Sequence, residues 1–471
     1  MKLIIQRVLL LSVLLLPILS PAQTYQDIYG FSLYSGFPGA NSDGALPYCA
    51  LALSGNTLYG TTYEGGTNGT GAIFSVRTDG SSFTNLHSFS ALSASFYGDN
   101  SDGAQPYDTL LLSSNMFYGT ASIGGTAGFG TLFRIKTDGS SFTNLHNFTD
   151  GAGTPRAELI LSSNVLYGTT DSGGNGYGSV FRINTDGTDF TNLHSFTTFT
   201  NDAFAPAGGL AISGSSLYGT AESGGLLGGG VVFTVSTGGK GYTNLFNFQG
   251  HVGQGQISTN NTGGQPYASL LLISNRLYGT TLDGGTNGNG VLFAINTSGT
   301  GFTNLHTFAA ASSGSTNADG ASPGCKLLLI GSSLYGTAPN SGLNGYGTVF
   351  AINTNGSNFR VVYQFVDIPG VGYLDTGGAS PFGGLIFTNG TVYGTTLEGG
   401  GYDGNVYSLN LSIPLSSQSI GGNLVLHWSD PSFSIQASPT LTGPFTNVPN
   451  ATSPFTNTPA AGQQFFRLVA N

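Results

Sequence analysis

The chain has 471 residues and a formal net charge of −10; only 7% of its residues are charged, while 39% are hydrophobic and 76 are glycine. A disordered chain combines high charge with few aromatic residues, so this composition indicates a folded all-β protein of the secreted type. No basic patch accompanies the acidic balance, which excludes nucleic acid as a partner.

Residues 1–22 are predicted to be a signal peptide. Lys2 and Arg7 form a basic head, an apolar run follows from Val8 to Leu19, and small residues lead to a cleavage site after Ala22. The run is short for a membrane span, and no later stretch is apolar enough to cross a bilayer. We therefore expect a secreted or cell-surface protein with no transmembrane segment in its mature chain.

The rest of the chain is dominated by a repeat. The tripeptide Tyr-Gly-Thr occurs seven times, beginning at Tyr59, Tyr118, Tyr167, Tyr218, Tyr278, Tyr335 and Tyr393. The residues around it return at a period of roughly 50, which is typical of repeat architectures. Each repeat contains four short apolar or aromatic runs bounded by Gly, Asn, Asp and Ser, and such runs predict strands. Helices are expected to be nearly absent, so the repeats predict the four-stranded blades of a β-propeller.

The two ends of the repeat region are complementary. The seventh repeat ends after its third strand, near Leu411, whereas residues 25–31 align position by position with the fourth strand at 83–89. Six complete repeats and two fragments therefore predict a seven-bladed β-propeller over residues 23–411. The N-terminal strand should close it by pairing with the strand that ends near Leu411.

The repeated positions are interpreted as structural. The glycine of Tyr-Gly-Thr is expected to let neighbouring sheets approach closely. Cys49 and Cys325 occupy equivalent positions in different repeats, so we expect two small thiols rather than a disulfide. One fourth-strand position holds histidine in four repeats and an aromatic residue elsewhere, which indicates packing rather than metal binding. Its occupants are His87, His146, His194, His306, Phe246, Tyr363 and Tyr29.

One face of the predicted blades is variable. The loops between second and third strands share that face with the crossings between repeats, and these segments differ most in length, so ligand binding is expected there. The same face holds most of the acids: Asp43, Glu64, Asp99, Asp102, Asp150, Asp171, Asp202, Glu222, Asp283, Asp319, Asp367, Asp375, Glu398 and Asp403.

Three of these acids are candidate ligands for a metal ion. Glu64, Asp283 and Glu398 share the position before the double glycine in repeats 1, 5 and 7. Oxygen ligands select Ca²⁺, and solvated turn residues are the alternative interpretation. No other cofactor is expected. No Ser/His/Asp set or close carboxylate pair recurs at a recognisable spacing, so no catalytic residue is assigned.

The order of these elements resembles a known family. The string Leu-Tyr-Gly-Thr-Thr, Gly-Gly, Gly-x-Gly-x-Val-Phe-x-Ile-x-Thr-Asp-Gly, Leu-His-x-Phe and Asp-Gly-Ala-x-Pro is similar to the GloVer tandem repeats of secreted bacterial proteins over residues 25–411. The double glycine after the second strand is also similar to kelch blades. The resemblance implies an exported repeat protein with a C-terminal attachment or sorting module, and it implies no activity.

A change of composition after Ile413 predicts a separate C-terminal β-sandwich-like module over residues 414–471, with Trp428 as its core residue. Two functions are consistent with the whole sequence. The first, which we favour, is a monomeric, non-enzymatic scaffold that binds an extracellular glycan or protein through the variable acidic face. The second is a lyase or hydrolase acting on an extracellular polysaccharide at the mouth of a central channel.

Overall fold

The computed structural model of the protein describes residues 24–33, 39–94, 98–149, 153–197, 201–250, 259–312, 316–366, 378–399, 403–411, 416–420, 423–428, 433–440, 444–449, 451–457 and 464–470. The chain divides into two compact units: Tyr25–Leu409, called here the repeat unit, and Met1–Thr24 with Asn410–Asn471, the terminal unit. Every regular element within these ranges is a strand. They contain no helix long and apolar enough to cross a membrane. The predicted signal peptide and its cleavage site lie outside the described residues.

The repeats form separate sheets, numbered here by repeat, whose strands pair antiparallel apart from one short parallel pairing in sheet 4. Sheet 1 consists of Ala52–Ser54, Thr57–Thr62, Ala72–Arg77 and Thr84–Ser88. Sheet 2 consists of Leu111–Ser113, Met116–Ala121, Thr131–Lys136 and Thr143–Asn147. Sheet 3 consists of Ile160–Ser162, Val165–Thr170, Ser179–Asn184 and Thr191–Ser195.

Sheet 4 is extended by two short strands and contains Ala203–Phe204, Ala211–Ser213, Ser216–Ala221, Ser223–Gly224, Gly228–Ser236 and Thr243–Gln249. Sheet 5 consists of Leu271–Ile273, Arg276–Thr280, Val291–Asn296 and Thr303–Thr307. Sheet 6 consists of Leu328–Ile330, Ser333–Ala338, Thr348–Asn353 and Arg360–Gln364. Sheet 7 consists of Ile386–Thr388, Thr391–Thr396 and Asn405–Asn410, with Tyr25–Gly30 as its fourth strand.

The pairing predicted between the two ends of the repeat region is present. Tyr25 lies opposite Leu409 and Gly30 opposite Asn405, and the register shifts between Asp27 and Tyr29. The third and fourth strands of sheet 1 have the same irregularity, where Ile73 and Phe74 lie opposite His87 and Asn85. The N-terminal strand therefore reproduces the paired geometry of the other fourth strands, including their bulge.

The hydrophobic cores lie between neighbouring sheets. Tyr59 and Ile73 of sheet 1 are buried with Phe117 and Phe133 of sheet 2 in one cluster. An equivalent cluster joins sheet 7 to sheet 1 and contains Ile28, Phe31, Leu51, Leu58, Phe74, Val76, Tyr393 and Val406. Each sheet thus buries its apolar side chains against the next sheet, which is the main source of stability in stacked repeats.

The fourth-strand position that holds histidine or an aromatic residue is a stacking position, as predicted. In each case its ring lies flat on the aromatic ring that begins or directly precedes the next fourth strand, with centroids 3.5–5.0 Å apart and planes within 11°. The pairs are Tyr29–Phe83, His87–Phe142, His146–Phe190, His194–Tyr242, Phe246–Phe302, His306–Phe359 and Tyr363–Tyr25. The series passes through all seven sheets and returns to the first through the N-terminal strand.

The glycine of Tyr-Gly-Thr does not act as predicted. A Cβ atom on Gly60 would lie 2.6 Å from the Phe74 ring and 3.0 Å from Leu51, both in the same repeat. Phe74 is directly opposite Gly60 in sheet 1, and its ring lies over the glycine. The requirement for glycine therefore comes from an aromatic ring within its own sheet, not from the approach of a neighbouring sheet.

The terminal unit has two small sheets. Ser416–Ile420, Asn423–His427 and Phe455–Asn457 form the first, and Thr446–Asn447, Phe433–Ser438 and Phe465–Ala470 form the second. Trp428 is buried with Leu426, Phe433 and Ile435, and its indole N–H donates a 2.9 Å hydrogen bond to the Phe433 carbonyl. The tryptophan is therefore a core residue of this unit.

Replacing Tyr25 with alanine should destabilise the repeat unit by about 3 kcal/mol, because it removes the stack on Tyr363 that joins sheets 6 and 7 and the stack on Tyr407 within sheet 7. The free energy of unfolding from denaturant titration measures this. Gln26→Ala on the same strand is the control, since Gln26 is exposed and should change the value by less than about 0.5 kcal/mol. Equal effects of the two variants would contradict a stabilising role of the Tyr25 stacks.

Gly60→Ala should cost about 1–3 kcal/mol, because the new methyl group collides with the Phe74 ring in a filled core. Gly238→Ala is the matched control: Gly238 lies in an open turn where a Cβ atom meets nothing closer than 3.9 Å. Thermal and chemical unfolding of both variants provide the comparison. A Gly60 variant as stable as the Gly238 variant would disprove the close ring contact.

Candidate functional site

All seven repeats contribute to one cavity. Each repeat enters its first strand through a proline, and side chains one to three residues after that proline face a shared space of about 50 Å³, room for a few water molecules. The lining residues are Tyr48, Ala50, Tyr107, Asp108, Thr109, Arg156, Glu158, Ala207, Gly208, Tyr267, Ala268, Ser269, Gly324, Cys325, Lys326, Phe382 and Gly384.

The threonine of Tyr-Gly-Thr helps to hold these segments together. Thr61 Oγ1 donates to the Asp108 carbonyl oxygen of the next repeat at 3.3 Å. Thr395 Oγ1 of repeat 7 donates to the Cys49 carbonyl oxygen of repeat 1 at 2.8 Å. The repeated tripeptide therefore positions residues that do not themselves repeat.

The two cysteines take part in the hydrogen bonding that holds these segments together. Both are buried and free, as the sequence predicts. Cys49 Sγ accepts a hydrogen bond from the Thr61 backbone N–H at 3.2 Å, and Cys325 Sγ accepts one from Thr337 at 3.1 Å. Burial raises the pKa of Cys49 to about 11, so its thiol is protonated at neutral pH.

Side chains from distant repeats meet inside the cavity. The Tyr267 hydroxyl of repeat 5 donates to the Tyr107 hydroxyl of repeat 2 at 3.0 Å. Lys326 Nζ of repeat 6 lies 2.7 Å from Glu158 Oε2 of repeat 3. Burial raises the pKa of Tyr107 to about 12 and the pKa of Tyr267 further still. Both hydroxyls are thus protonated at neutral pH and can donate hydrogen bonds but not act as bases.

The Asp108 carboxyl has a raised pKa. Its Oδ2 accepts a 2.7 Å hydrogen bond from the Glu158 backbone N–H, and its Oδ1 accepts from the Thr109 N–H at 2.6 Å. Burial, followed by the nearby charge of Glu158, raises the pKa of Asp108 to about 6 although these hydrogen bonds oppose the shift. A carboxyl of this pKa can deliver a proton near neutral pH.

One side of the cavity opening is aromatic. Tyr48 stacks on Tyr107 at 4.8 Å between ring centroids and meets the edges of Tyr63 and Phe382 at 5.4 and 5.8 Å. Burial and the Tyr63 hydroxyl raise the pKa of Tyr48, and the charges of Glu64 and Glu398 add to this effect. The two carboxylates, from repeats 1 and 7, therefore lie within electrostatic range of the same ring.

A charged group, Arg156, borders these rings. Arg156 Nη1 lies 3.4 Å from Asp171 Oδ2, and its guanidinium lies 5.9 Å from the centre of the Tyr107 ring. Burial and the charge of Asp171 raise the pKa of Glu222, Arg156 opposes this, and Asp283 adds to it. Asp171, Asp283 and Arg156 thus all lie within electrostatic range of Glu222.

The predicted metal-site acids act on two different groups. Glu64 and Glu398 both act on Tyr48, whereas Asp283 acts on Glu222. Among the residues whose placement is described, no group of three or more His, Cys, Asp and Glu side chains is arranged to hold a metal ion. Asp150, Asp367 and Asp375, which belong to the predicted variable face, lie outside the described residues.

Paired histidines and carboxylates recur in three repeats, at sequence separations of 15, 8 and 13 residues, which differ too much to be recognised as a spacing pattern. His87 Nε2 lies 3.0 Å from Asp102 Oδ2, and the pairs His194–Asp202 and His306–Asp319 are at 3.3 and 2.8 Å. Burial would raise the pKa of Asp102, but hydrogen bonds from His87 and Ser90 outweigh it and lower the pKa.

The same contact is made by a tyrosine in sheet 7. The Tyr29 hydroxyl donates to Asp43 at 2.8 Å, and Tyr29 stacks on Phe83 as His87 stacks on Phe142. Because an aromatic hydroxyl replaces the imidazole, the pairs tie the crossing loops to the stacks and serve packing. We therefore do not assign these histidines as general bases of a catalytic triad.

The residues following each proline were the ones that sequence reasoning missed. They are Tyr48, Tyr107, Arg156, Ala207, Tyr267, Gly324 and Phe382. The available signal was a position of high variability within an otherwise regular repeat. Without the structure, nothing indicated that these seven residues share one cavity.

The Asp108 carboxyl should produce a defined pH dependence. Because its pKa is raised, the native state retains the proton from the ordinary aspartate pKa of about 4 up to about 6, so its contribution to stability is present at low pH and lost as pH rises. The free energy of unfolding of the wild type minus that of Asp108→Asn should therefore fall between pH 4 and 7. A difference that is flat or rises over this range would contradict the assignment.

Several solved structures are similar to this chain at low sequence identity. Solved structures similar to this chain include an oligogalacturonate lyase from Vibrio parahaemolyticus at 9% identity, with a TM-score of 0.47 over 83% of this chain and 94% of that one. An oligogalacturonate lyase in complex with manganese has 10% identity and a TM-score of 0.49 over 83% and 93%. A nidogen/laminin complex has 16% identity and a TM-score of 0.34 over 55% and 74%.

No curated protein matches the chain. The family model described as the Gloeobacter/Verrucomicrobia repeat matches residues 90–260 and 255–418, well over half of the sequence. Its span contains the repeats whose order of Tyr-Gly-Thr, double glycine and aromatic strands was read from the sequence. The chain has a β-propeller-like all-β fold and belongs to the Gloeobacter/Verrucomicrobia repeat family.

Proposed function

We propose that this protein is a secreted, non-enzymatic seven-bladed β-propeller that binds an extracellular glycan at the opening of its central cavity. In this proposal residues 1–22 are a cleaved signal peptide, residues 23–411 are the propeller with kelch-like double glycines, and residues 414–471 are a C-terminal β module. A single chain supplies all seven blades, so the functional unit is a monomer.

The cyclic contacts support a closed propeller. The stacking position of sheet 7, Tyr29, contacts Phe83 of sheet 1, and Tyr363 of sheet 6 contacts Tyr25 of sheet 7. A hydrogen bond also links Thr395 to repeat 1. The last and first sheets are therefore joined by the same kinds of contact as the other neighbouring sheets. A closed ring explains why one fourth strand is found at the N-terminus.

The observation that carries the binding function is the convergence of non-repeating residues on one cavity. A repeat used only as scaffold has no need to place tyrosine, arginine, alanine, glycine and phenylalanine at one otherwise equivalent position. Aromatic rings beside a few polar groups are typical of ligand sites, and Ala207 and Gly324 leave space between them. The variable loop face contributes the surrounding acids.

Hydrolysis of an extracellular polysaccharide is the second candidate, and Asp108 is the observation that favours it. Its raised pKa and the ion-paired carboxylate of Glu158 resemble an acid and base separated by environment. A lyase mechanism is less consistent with the site, because Tyr107 and Tyr267 have raised pKa values and cannot abstract a proton at neutral pH.

Binding should depend on Tyr48. We expect Tyr48→Ala to weaken binding of any glycan found on an array by about tenfold or more, because it removes the ring at the centre of the aromatic side. Isothermal titration calorimetry measures the affinity. Tyr177→Ala is the control, since Tyr177 packs on Phe204 and does not line the cavity. Equal affinities for both variants would refute this site.

The same glycans distinguish binding from catalysis. Incubation with the wild type, followed by chromatography of the sugars, should give no new products. Release of shorter sugars by the wild type and not by Asp108→Asn would favour the hydrolase instead.

A further inference from the structure

We propose that the glycan bound at this site is a neutral sugar, recognised by hydroxyl groups that accept hydrogen bonds from Arg156 and donate them to Asp171. This inference rests on the proposed function and names its ligand class. The two residues are called the Arg156–Asp171 pair below.

The backbone holds Asp171 beside Arg156. Asp171 lies two residues before the double glycine, and its N–H donates to the carbonyl oxygen of Thr154, two residues before Arg156, at 3.0 Å. Tyr63 of repeat 1 makes the same backbone bond at 3.1 Å, and its ring contacts that of Tyr48 at 5.4 Å between centroids. The shared register therefore brings together the side chains at these two positions, and in repeat 3 they approach to 3.4 Å.

Repeat 3 is the one repeat that holds opposite charges at these two positions. In chain order the pairs are Tyr48–Tyr63, Tyr107–Ser122, Arg156–Asp171, Ala207–Glu222, Tyr267–Leu282, Gly324–Pro339 and Phe382–Leu397. A charged donor and a charged acceptor thus stand together in a ring of otherwise mostly aromatic, aliphatic or small residues. Such a pair offers both kinds of hydrogen bond to a ligand.

The Arg156 guanidinium has an unsatisfied donor. Its Nε atom is buried and has no hydrogen-bond partner among the described residues. Its Nη1 atom lies 3.4 Å from Asp171 Oδ2, beyond the roughly 2.7–2.9 Å of a charge-assisted hydrogen bond. Arg182 and Arg276 also have an unpartnered Nε, but Arg156 is the one of the three that lines the cavity. Because a buried donor is costly to leave unpaired, an acceptor from a ligand is favoured there.

The size of the cavity limits which part of a sugar can enter it. Ala207 and Gly208 of the next repeat line the cavity together with Arg156, and their small size leaves space in this part of the lining. The volume of about 50 Å³ admits a few water molecules. Hydroxyl groups at one edge of a sugar can take such places and reproduce the hydrogen bonds of water, while the sugar ring remains at the opening.

The charges at this place disfavour ionised sugars. An anionic group would oppose the Asp171 carboxylate, which lies next to the same guanidinium, and a cationic amine would oppose Arg156 itself. The other charged groups of the lining already have partners. Lys326 Nζ lies 2.7 Å from Glu158 Oε2, and both oxygens of Asp108 accept hydrogen bonds from backbone N–H groups. A hydroxyl group fits both members of the Arg156–Asp171 pair without adding charge.

The test uses the purified full-length protein and sugar tetramers. Titration calorimetry compares the neutral tetramers of glucose, galactose and mannose with the tetramers of galacturonic acid and glucosamine. At least one neutral tetramer should bind about tenfold more tightly than both charged ones. Its affinity should change by less than about twofold between about 0.05 and about 0.5 M NaCl, because a neutral ligand carries no charge for salt to screen.

A substitution of Arg156 tests its role. Arg156→Met should lower the affinity for that neutral tetramer by about tenfold, because a hydrogen bond from a charged donor is lost. Arg276→Met is the matched control and should leave the affinity unchanged. Arg276 also has an unpartnered Nε and lies 5.8 Å from a tyrosine ring, as Arg156 does at 5.9 Å, but it does not line the cavity. Thermal unfolding of each variant verifies its fold.

A substitution of Asp171 should reverse the selectivity. Asp171→Ala removes an acceptor for the neutral tetramer and leaves the Arg156 charge uncompensated. Binding of the neutral tetramer should therefore weaken by about tenfold, whereas binding of the galacturonic acid tetramer should strengthen by a similar factor. The gain for the acidic tetramer should disappear when Arg156→Met is added. A loss of affinity for both tetramers in Asp171→Ala would contradict the inference.

The outcomes separate the two proposals. If the galacturonic acid or glucosamine tetramer binds the wild type most tightly, the neutral-sugar inference is overturned and glycan binding is retained. Binding of a neutral tetramer that survives Arg156→Met but is lost in Tyr48→Ala has the same consequence. Absence of binding by every tetramer and by the glycan array would overturn both.

Discussion

The stack between neighbouring sheets is the contact on which the rest of the repeat unit depends. Each four-stranded sheet is too small to bury its own apolar side chains, so its Tyr, Phe and Ile residues are buried only against the next sheet. A flat stack such as His87 on Phe142 fixes the separation and rotation of two sheets at once. Because the series passes through Tyr29 and Tyr25, its continuity requires the N-terminal strand.

The repeated contacts between the sheets allow the side chains that line the cavity to vary. The Thr hydroxyls and the buried thiols make contacts with backbone groups around the first strands, whereas the side chains directly after each proline differ from repeat to repeat. Opposed groups nevertheless meet there, as Lys326 meets Glu158 and Tyr267 meets Tyr107. Uncompensated charges in such a confined space would be costly, and pairing across the cavity offsets that cost while keeping the groups in place.

Much of the fold could be predicted because its determinants are local or repeated. Alternating apolar runs and turn residues predicted the sheets, the histidine position predicted packing, and the orphan strand at 25–31 predicted the pairing with Asn405–Asn410. The predicted role of Gly60 was wrong, because sequence spacing cannot show that the Phe74 ring on the neighbouring strand lies over it. The His87–Asp102 pair was missed because the number of residues between histidine and acid changes from repeat to repeat.

The sequence by itself determined the all-β class, the repeat and the strand that joins the two ends, because hydrogen-bonded strands and turns follow from short-range patterns. Only the tertiary structure decided which side chains share the central cavity. Tyr107 and Tyr267 are separated by 160 positions and Lys326 and Glu158 by 168, yet each pair is in hydrogen-bond contact. Such proximity depends on the summed rotation from one sheet to the next, a geometric quantity that no single repeat encodes.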